Sequence, residues 1–255
     1  MGRILAIAHN TILESVRERL VLVAVLFGLA VVIGSQALSP LALGEGRKVV
    51  IDFGLAGSTL LATLLSIFLG STLLHKELER RTIYSILAKP IRREEFLIGK
   101  FLGLWITTAS LLVAMTLILS LVVTIFYGGA PATIAGSAAL SVIELGIVTA
   151  VVVLFSSFTT PALTAFFGIS AVVAGHFADD LRYFASQGAP AGIRAIAEWV
   201  YWTLPHLQVF NARGLAVHGI PVGADRMAFA FAYGILYIGG VLVFAGTVFR
   251  RREFR

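Results

Sequence analysis

The chain has 255 residues, of which 58% are hydrophobic and 13% are charged, and its formal net charge is +6. A soluble domain carries roughly 25% charged residues, so this composition, with a mean hydropathy of +0.93, excludes a soluble globular protein. The absence of cysteine excludes disulfides, thiolate nucleophiles and cysteine-based metal sites. Basic loops that stay in the cytoplasm explain the positive charge better than binding to nucleic acid does.

The chain begins with a polar leader and two apolar spans. Apolar residues recur at helical spacing in the leader, 1–19, and predict an amphipathic elbow helix at the membrane interface. Uncharged apolar segments of about 18 residues or more indicate transmembrane helices, because the hydrocarbon core is about 30 Å thick. The first two spans are predicted at 20–38 and 53–74. A cleaved signal peptide is the alternative for the first span, but the leader is long and carries Glu14 and Glu18.

A charged segment, here called the island, covers 75–100 and must lie on one face of the membrane because it is too polar for lipid. Its apolar residues Ile83, Ile86 and Leu87 predict a short amphipathic helix, and Pro90 predicts a break before the next helix. An anchor whose arginines touch anionic headgroups is the alternative. A proline-broken apolar face is better suited to a groove on a soluble partner.

The rest of the chain is predicted from the same signals. Pro161 separates two apolar segments whose combined length exceeds one crossing, so we expect two spans there. Aromatic residues such as Trp199 and Trp202 favour the headgroup level and predict short interfacial helices outside the membrane. The remaining predicted elements are the third span 101–127, the fourth 133–158, the fifth 161–175, an external segment 176–226, the sixth span 227–249 and a tail 250–255.

The distribution of basic residues predicts the orientation. Fourteen of the 20 lysines and arginines lie on the side that holds both termini and the island, and six lie on the other side. Lysine and arginine collect in cytoplasmic loops, so both termini and the island are predicted to be cytoplasmic. The sequence therefore predicts an all-α, polytopic protein of the inner (plasma) membrane, with six transmembrane helices in a single transmembrane domain, 1–255.

Enzymatic signatures are absent from the sequence. The Gly99-Lys100 pair is followed by Phe101 and lacks the upstream glycine of an ATP-binding loop, and no H-E-x-x-H zinc motif occurs. We therefore predict no catalytic residue and no metal site in this chain. The Glu94-Glu95 pair is interpreted as a solvated helix face.

Glu144 is the one ionisable residue well inside an apolar span. An intramembrane carboxylate is costly and marks a functional site by default, so Glu144 is a candidate for the translocation path. A packing residue near the outer interface is the alternative. Substitution Glu144→Gln is expected to impair transport but not assembly.

The order of motifs resembles ABC-2 type exporter permeases. The pattern Glu79-x-x-Thr82, Leu87-x-x-Pro90-x-Arg92-Arg93 and Leu97-x-Gly99-Lys100 is similar to the segment between their second and third spans. The resemblance extends to the six spans, the elbow and Leu204-Pro205-His206 before Phe210-Asn211, and it is strongest to small permeases such as that of nitrous oxide reductase maturation. Arg81 departs from the pattern, because the family often has glycine there.

The resemblance implies a transporter permease whose energy comes from ATP hydrolysis on separate subunits. Two permease subunits, this chain with a second copy or a related permease, would bind two separate ABC ATPase subunits and export a substrate. ATP and Mg would be bound by the ATPase, and this chain would bind no cofactor; its other partners would be membrane lipids, not nucleic acid. The island would be the cytoplasmic coupling helix. The residues assigned to ATPase contact are Glu79, Thr82, Ile83, Ile86, Leu87, Pro90, Arg92, Arg93 and Glu94.

Two other functions remain open at this point. The first is a membrane-embedded enzyme or assembly factor that acts without an ATPase. The second is an ion-coupled secondary transporter, which would need more intramembrane carboxylates than Glu144 and an inverted repeat. The substrate is not defined by the sequence, although an apolar lumen would suit lipids, drugs or hydrophobic peptides.

Overall fold

Long apolar helices dominate the computed structural model, which describes residues 2–42, 44–79 and 93–251. Within these ranges the protein is all-helical and contains no strand, and six helices are long and apolar enough to cross a membrane. This confirms the predicted all-α fold with six transmembrane helices. The candidate spans are Arg19–Pro40, Gly46–Leu73, Glu94–Tyr127, Thr133–Ser156, Pro161–Ser186 and Ala224–Phe249.

The α-helices of the described residues are numbered in chain order. Two 3₁₀ segments, Ser35–Ala42 and Leu207–Phe210, accompany them. The helices are α1 Gly2–Arg17, α2 Arg19–Gly34, α3 Gly46–Glu79, α4 Arg93–Tyr127, α5 Thr133–Ser156, α6 Pro161–Ser186, α7 Ala191–Thr203, α8 Arg213–Val217 and α9 Ala224–Arg251.

Several helices extend beyond the predicted spans. Helix α3 begins at Gly46 rather than at residue 53, and α4 begins at Arg93, inside the island. Helix α6 continues to Ser186, past the predicted end at residue 175. Hydropathy reports the length of chain in lipid, whereas helical hydrogen bonding continues into water, where polar side chains are solvated. The connection between the fifth and sixth spans is correspondingly shorter than predicted.

Helix α1 covers most of the segment predicted as the elbow, 1–19, and α2 begins the first span. Glu18 has extended backbone angles, φ −71° and ψ 135°, and separates the two helices. Helix α1 packs along α4 through a face of small residues. That buried face consists of Ala8, Thr11 and Ser15, whereas the apolar side chains of Leu5, Leu13 and Val16 are exposed.

Helix α5 is the central helix, with α3, α4, α6 and α9 packed around it. Polar side chains tie it to two of these neighbours. The Ser66 and Thr149 hydroxyl oxygens are 2.8 Å apart between α3 and α5, and Trp105 Nε1 donates to the Val142 carbonyl oxygen at 2.8 Å between α4 and α5. Such interhelical hydrogen bonds stabilise helix packing in lipid, where hydrophobic burial provides little driving force.

Helices α5 and α6 are separate crossings. Helix α5 ends at Ser156, and Pro161 occupies the first position of α6 after the extended residue Thr160. Proline is favoured at a helix N-terminus because its missing N–H would have no helical acceptor there. The break predicted before Pro161 therefore lies between two helices of opposite direction.

Candidate functional site

The island connects α3 to α4 on one side of the bundle. Helix α3 ends at Glu79 and α4 begins at Arg93, so these two predicted contact residues mark the borders of the connection. The predicted contact residues that lie outside the described residues are Thr82, Ile83, Ile86, Leu87, Pro90 and Arg92.

The first turns of α4 pack against the C-terminal end of α9. Glu94, the last predicted contact residue, is partly buried beside Gly246, where an added Cβ would lie 3.4 Å from the Glu94 Cγ. The rings of Phe96 and Phe249 stack with their centroids 6.4 Å apart. The end of the island is therefore fixed to the sixth span as well as to the third.

Two glycines of α4 allow the close approach of α1. A Cβ on Gly99 would lie 2.7 Å from the Ile7 Cβ, and a Cβ on Gly103 would lie 2.8 Å from the Ala8 carbonyl oxygen. Spaced four residues apart, both glycines face the same neighbour. Small residues at this spacing let helix backbones approach closely in a membrane protein. Helix α1 is thus seated directly on the backbone of α4.

A buried lysine adds a charged contact to this interface. Lys100 is 1% exposed, and its Nζ lies 3.4 Å from Glu14 Oε2 of α1. A charged group so far from water needs a partner, and the carboxylate supplies one. Leu97, Gly99 and Lys100 therefore have structural roles: Leu97 is a core residue, and the other two hold α1.

Glu144 lies on the opposite half of the bundle, in the middle of α5. It is only 3% exposed, and its Oε1 is 3.3 Å from His176 Nε2 of α6. Because α5 begins at Thr133, Glu144 follows three turns of helix. Its place in the translocation path and the alternative of a packing residue near the outer interface both stay predictions.

Glu144 faces a cavity of about 410 Å³, here called the Glu144 cavity. Its walls come from α3, α5, α6 and the segment that runs from the second 3₁₀ helix to the start of α8. Polar side chains converge on it from three of these elements. They include Ser137, Ser141, His176, Asp180, Gln208 and Asn211. A concave site of this size with a few convergent polar groups is the usual form of a ligand-binding site.

Charged contacts fix the segment that closes this cavity. Arg213 Nε lies 3.0 Å from Asp52 Oδ1 near the start of α3, and the Arg213 backbone N–H donates to Asn211 Oδ1 at 3.3 Å. Arg226 donates from Nη2 to the Asn211 carbonyl oxygen at 3.1 Å. The Phe210-Asn211 pair of the sequence pattern is therefore held between α3 and α9.

The Leu204-Pro205-His206 motif is held in the same region. A Cβ on Gly175 would lie 2.7 Å from the Pro205 carbonyl oxygen, so α6 contacts the motif through a residue without a side chain. The His206 backbone N–H donates to the Tyr233 hydroxyl of α9 at 3.0 Å. The motif fixes the connection between α7 and α8 against two spans.

Sequence reasoning found Glu144 but missed its partner. His176 was assigned to the external segment because the apolar signal ends at residue 175, yet it is the next residue of the same helix, which continues to Ser186. The spacing of Ser137, Ser141 and Glu144 places all three on one face of α5, and this spacing was a readable signal of a polar lining. In the part of the chain that the structure describes, no group of three or more histidine or acidic side chains could hold a metal ion.

The six spans define a multi-pass membrane protein, and its Glu144 cavity is a candidate ligand site. A family model described as ABC-2 family transporter protein matches residues 5–253. The match covers nearly the whole chain, so the protein belongs to the ABC-2 family of transporters and is a permease subunit of an ABC transporter. This confirms the resemblance found in the sequence. A comparison with curated proteins finds no match.

Proposed function

We propose that this chain is the permease subunit of an ATP-driven exporter. Two copies would form the translocation path, and two separate ATPase subunits would bind ATP and Mg, with no cofactor on this chain. The observation that carries the proposal is the family match over residues 5–253 in a chain that has no ATP-binding loop. The energy for transport must then come from a partner.

The island is the proposed contact with that partner. It joins α3 to α4, and α4 in turn carries α1 and contacts α9, so a force applied at the island would reach four helices. The amphipathic face at Ile83, Ile86 and Leu87 would fit an apolar groove on the ATPase. Closure of the ATPase pair would then tilt the second and third spans and open the path outward.

The proposed location is the inner (plasma) membrane, with both termini and the island in the cytoplasm. The excess of basic residues on that side supports this orientation, because lysine and arginine are retained in cytoplasmic loops. An ATPase in the cytoplasm would then reach the island directly.

Purification of this chain after co-expression with its genomic neighbours tests the proposal. We expect an ATPase subunit to co-elute with the wild-type chain and to be lost on Ile83→Asp or Arg93→Glu, which place a charge in the predicted apolar face or reverse one at its border. The control is Arg194→Glu, the same charge reversal on the exposed surface of α7, and it should retain the ATPase.

The alternative function gives a different result in the same experiment. A membrane-embedded enzyme or assembly factor would be purified without any nucleotide-hydrolysing partner, and the island variants would leave its composition unchanged. That outcome would reject the permease proposal.

A further inference from the structure

We propose that the Glu144 cavity binds a lipophilic amine, that is, a protonated amine on an apolar body, as the transported substrate or an analogue of it. The inference rests on the proposed transport function. It assigns a class of ligand to the cavity from its size, its charge and the direction in which it opens.

The size of the cavity suits a small organic molecule. Pockets that bind drug-sized ligands have volumes of roughly 300 to 1,000 Å³, and the Glu144 cavity measures about 410 Å³. Its walls include apolar side chains of α3 and α6 that would contact the body of the ligand. These are Leu55, Leu60, Val172, Val173 and Phe177.

The charge of the cavity favours a cation. Its ionisable lining residues are Glu144, His176, Asp180 and Arg213. The Arg213 guanidinium is balanced by Asp52, 3.0 Å away, and the His176 imidazole is charged only if it is protonated. Two carboxyl groups are therefore left to meet a positive ligand, and a charge-assisted hydrogen bond to a carboxylate is among the stronger polar contacts.

Glu144 has a free acceptor for such a ligand. Its Oε1 contacts His176, and its Oε2 has no hydrogen-bond partner among the residues that the structure describes. An ammonium group has several donors in a compact volume and could bind this oxygen and the nearby Ser141 hydroxyl. Glu144 would then be the deepest contact of the ligand.

The cavity opens at an apolar surface. Leu60 on α3 and Phe177 on α6 line the cavity and are also 59% and 60% exposed on the outside of the bundle. On a single subunit in a membrane, such exposed apolar side chains meet lipid tails or the apolar surface of a second copy of the chain. A ligand that enters between α3 and α6 would therefore cross an apolar surface, which favours an apolar body as well as the charged group.

Binding of a fluorescent amine to the full-length chain tests the inference. The chain is placed in phosphatidylcholine nanodiscs, with any co-eluting ATPase retained and no nucleotide added. The probe is dansylcadaverine, a primary amine, and the matched probe is its N-acetylated form, which has the same body without the charge. Empty nanodiscs give the background of partition into lipid.

We expect the wild-type chain to prefer the amine, and Glu144→Gln to weaken amine binding roughly ten-fold or more without changing binding of the acetylated probe. Glu198→Gln, which neutralises an exposed carboxylate on α7, is the matched control and should bind as the wild type does. Equal affinity of the wild type for both probes would overturn the inference, as would wild-type affinity in a folded Glu144→Gln variant.

The experiment separates this inference from the proposed function. Loss of amine selectivity while the ATPase still co-elutes rejects the ligand class alone. Amine selectivity without an ATPase partner rejects the proposed transporter function but still supports an amine-binding site in the Glu144 cavity. If Glu144→Gln does not fold, the preference of the wild type for the amine over its acetylated form decides the result.

Discussion

Lys100 is a charged residue inside the packed interface of α1 and α4, and its environment decides what its removal or neutralisation would do. The ion pair with Glu14 spans two helices that are far apart in sequence, and the lysine end is the deeply buried one. A buried charge is costly to leave without its partner, so the pair restricts the positions that α1 can take on α4. The contact is therefore specific rather than a surface attraction.

Substitution Glu14→Gln tests this contact. It keeps the shape of the side chain and removes the charge that Lys100 faces, so the free energy of unfolding should fall by about 2 kcal/mol. Thermal unfolding of the purified chain in one detergent measures the change. Glu198→Gln serves as the exposed control, and identical unfolding temperatures for both variants would show that the Glu14–Lys100 pair has no role in stability.

Glu144 and His176 show which part of a site can be read from a sequence. A lone carboxylate in an apolar span is visible because nothing else in that segment is charged. Its contact with His176 depends on the relative rotation of α5 and α6, which no local pattern of either helix specifies. The carboxylate was predicted as a candidate, and the imidazole was not.

At the scale of helices, α4 crosses the bundle and also connects the elbow helix α1 to the sixth span, α9. Its first two turns contact α9, and the next turns receive α1 through Gly99 and Gly103. Gly99 was predicted as part of a family motif, whereas Gly103 was not singled out, and the contact of either glycine with α1 was not predicted. Hydropathy reports that a segment lies in lipid and does not report which neighbour it contacts.

Substitution Gly103→Leu is expected to displace α1. The new side chain would overlap Thr11 and the backbone at Ala8, and such overpacking costs about 1–3 kcal/mol. The variant should unfold at a lower temperature and should retain less ATPase after purification. Gly192→Leu on α7, where an added Cβ meets no atom within 4 Å, is the matched control. Unchanged ATPase retention in Gly103→Leu would separate the position of α1 from coupling.

The borders of the spans were the least predictable part of the fold. Helix α3 includes Arg47, Lys48 and Asp52 because charged side chains at a helix end can reach water, and Asp52 also pairs with Arg213. Helix α6 includes Asp179 and Asp180 beyond the apolar segment. The number of spans follows from hydropathy alone, whereas their ends depend on contacts between distant segments. A single permease domain over 1–255 stays a prediction.

At the scale of the whole molecule, the natural absence of cysteine allows a direct test of orientation. Arg194→Cys on α7 should react with a membrane-impermeant maleimide in intact cells, because we expect this helix outside the membrane. Arg255→Cys should react only after the membrane is permeabilised. Labelling of both positions in intact cells would contradict cytoplasmic termini, and the wild-type chain is the unlabelled control.

We expect the contact of α1 with α4 to make transport depend on the properties of the bilayer. Leu5, Leu13 and Val16 are exposed on a helix that is bound to α4 by close backbone contact and an ion pair. If α1 lies at the headgroup level, a tilt of the N-terminal end of α4 would move these side chains within the headgroup layer. Part of the free energy of each transport cycle would then be used to displace lipid. Turnover should then depend on headgroup packing and acyl-chain order even when the substrate and ATP are saturating.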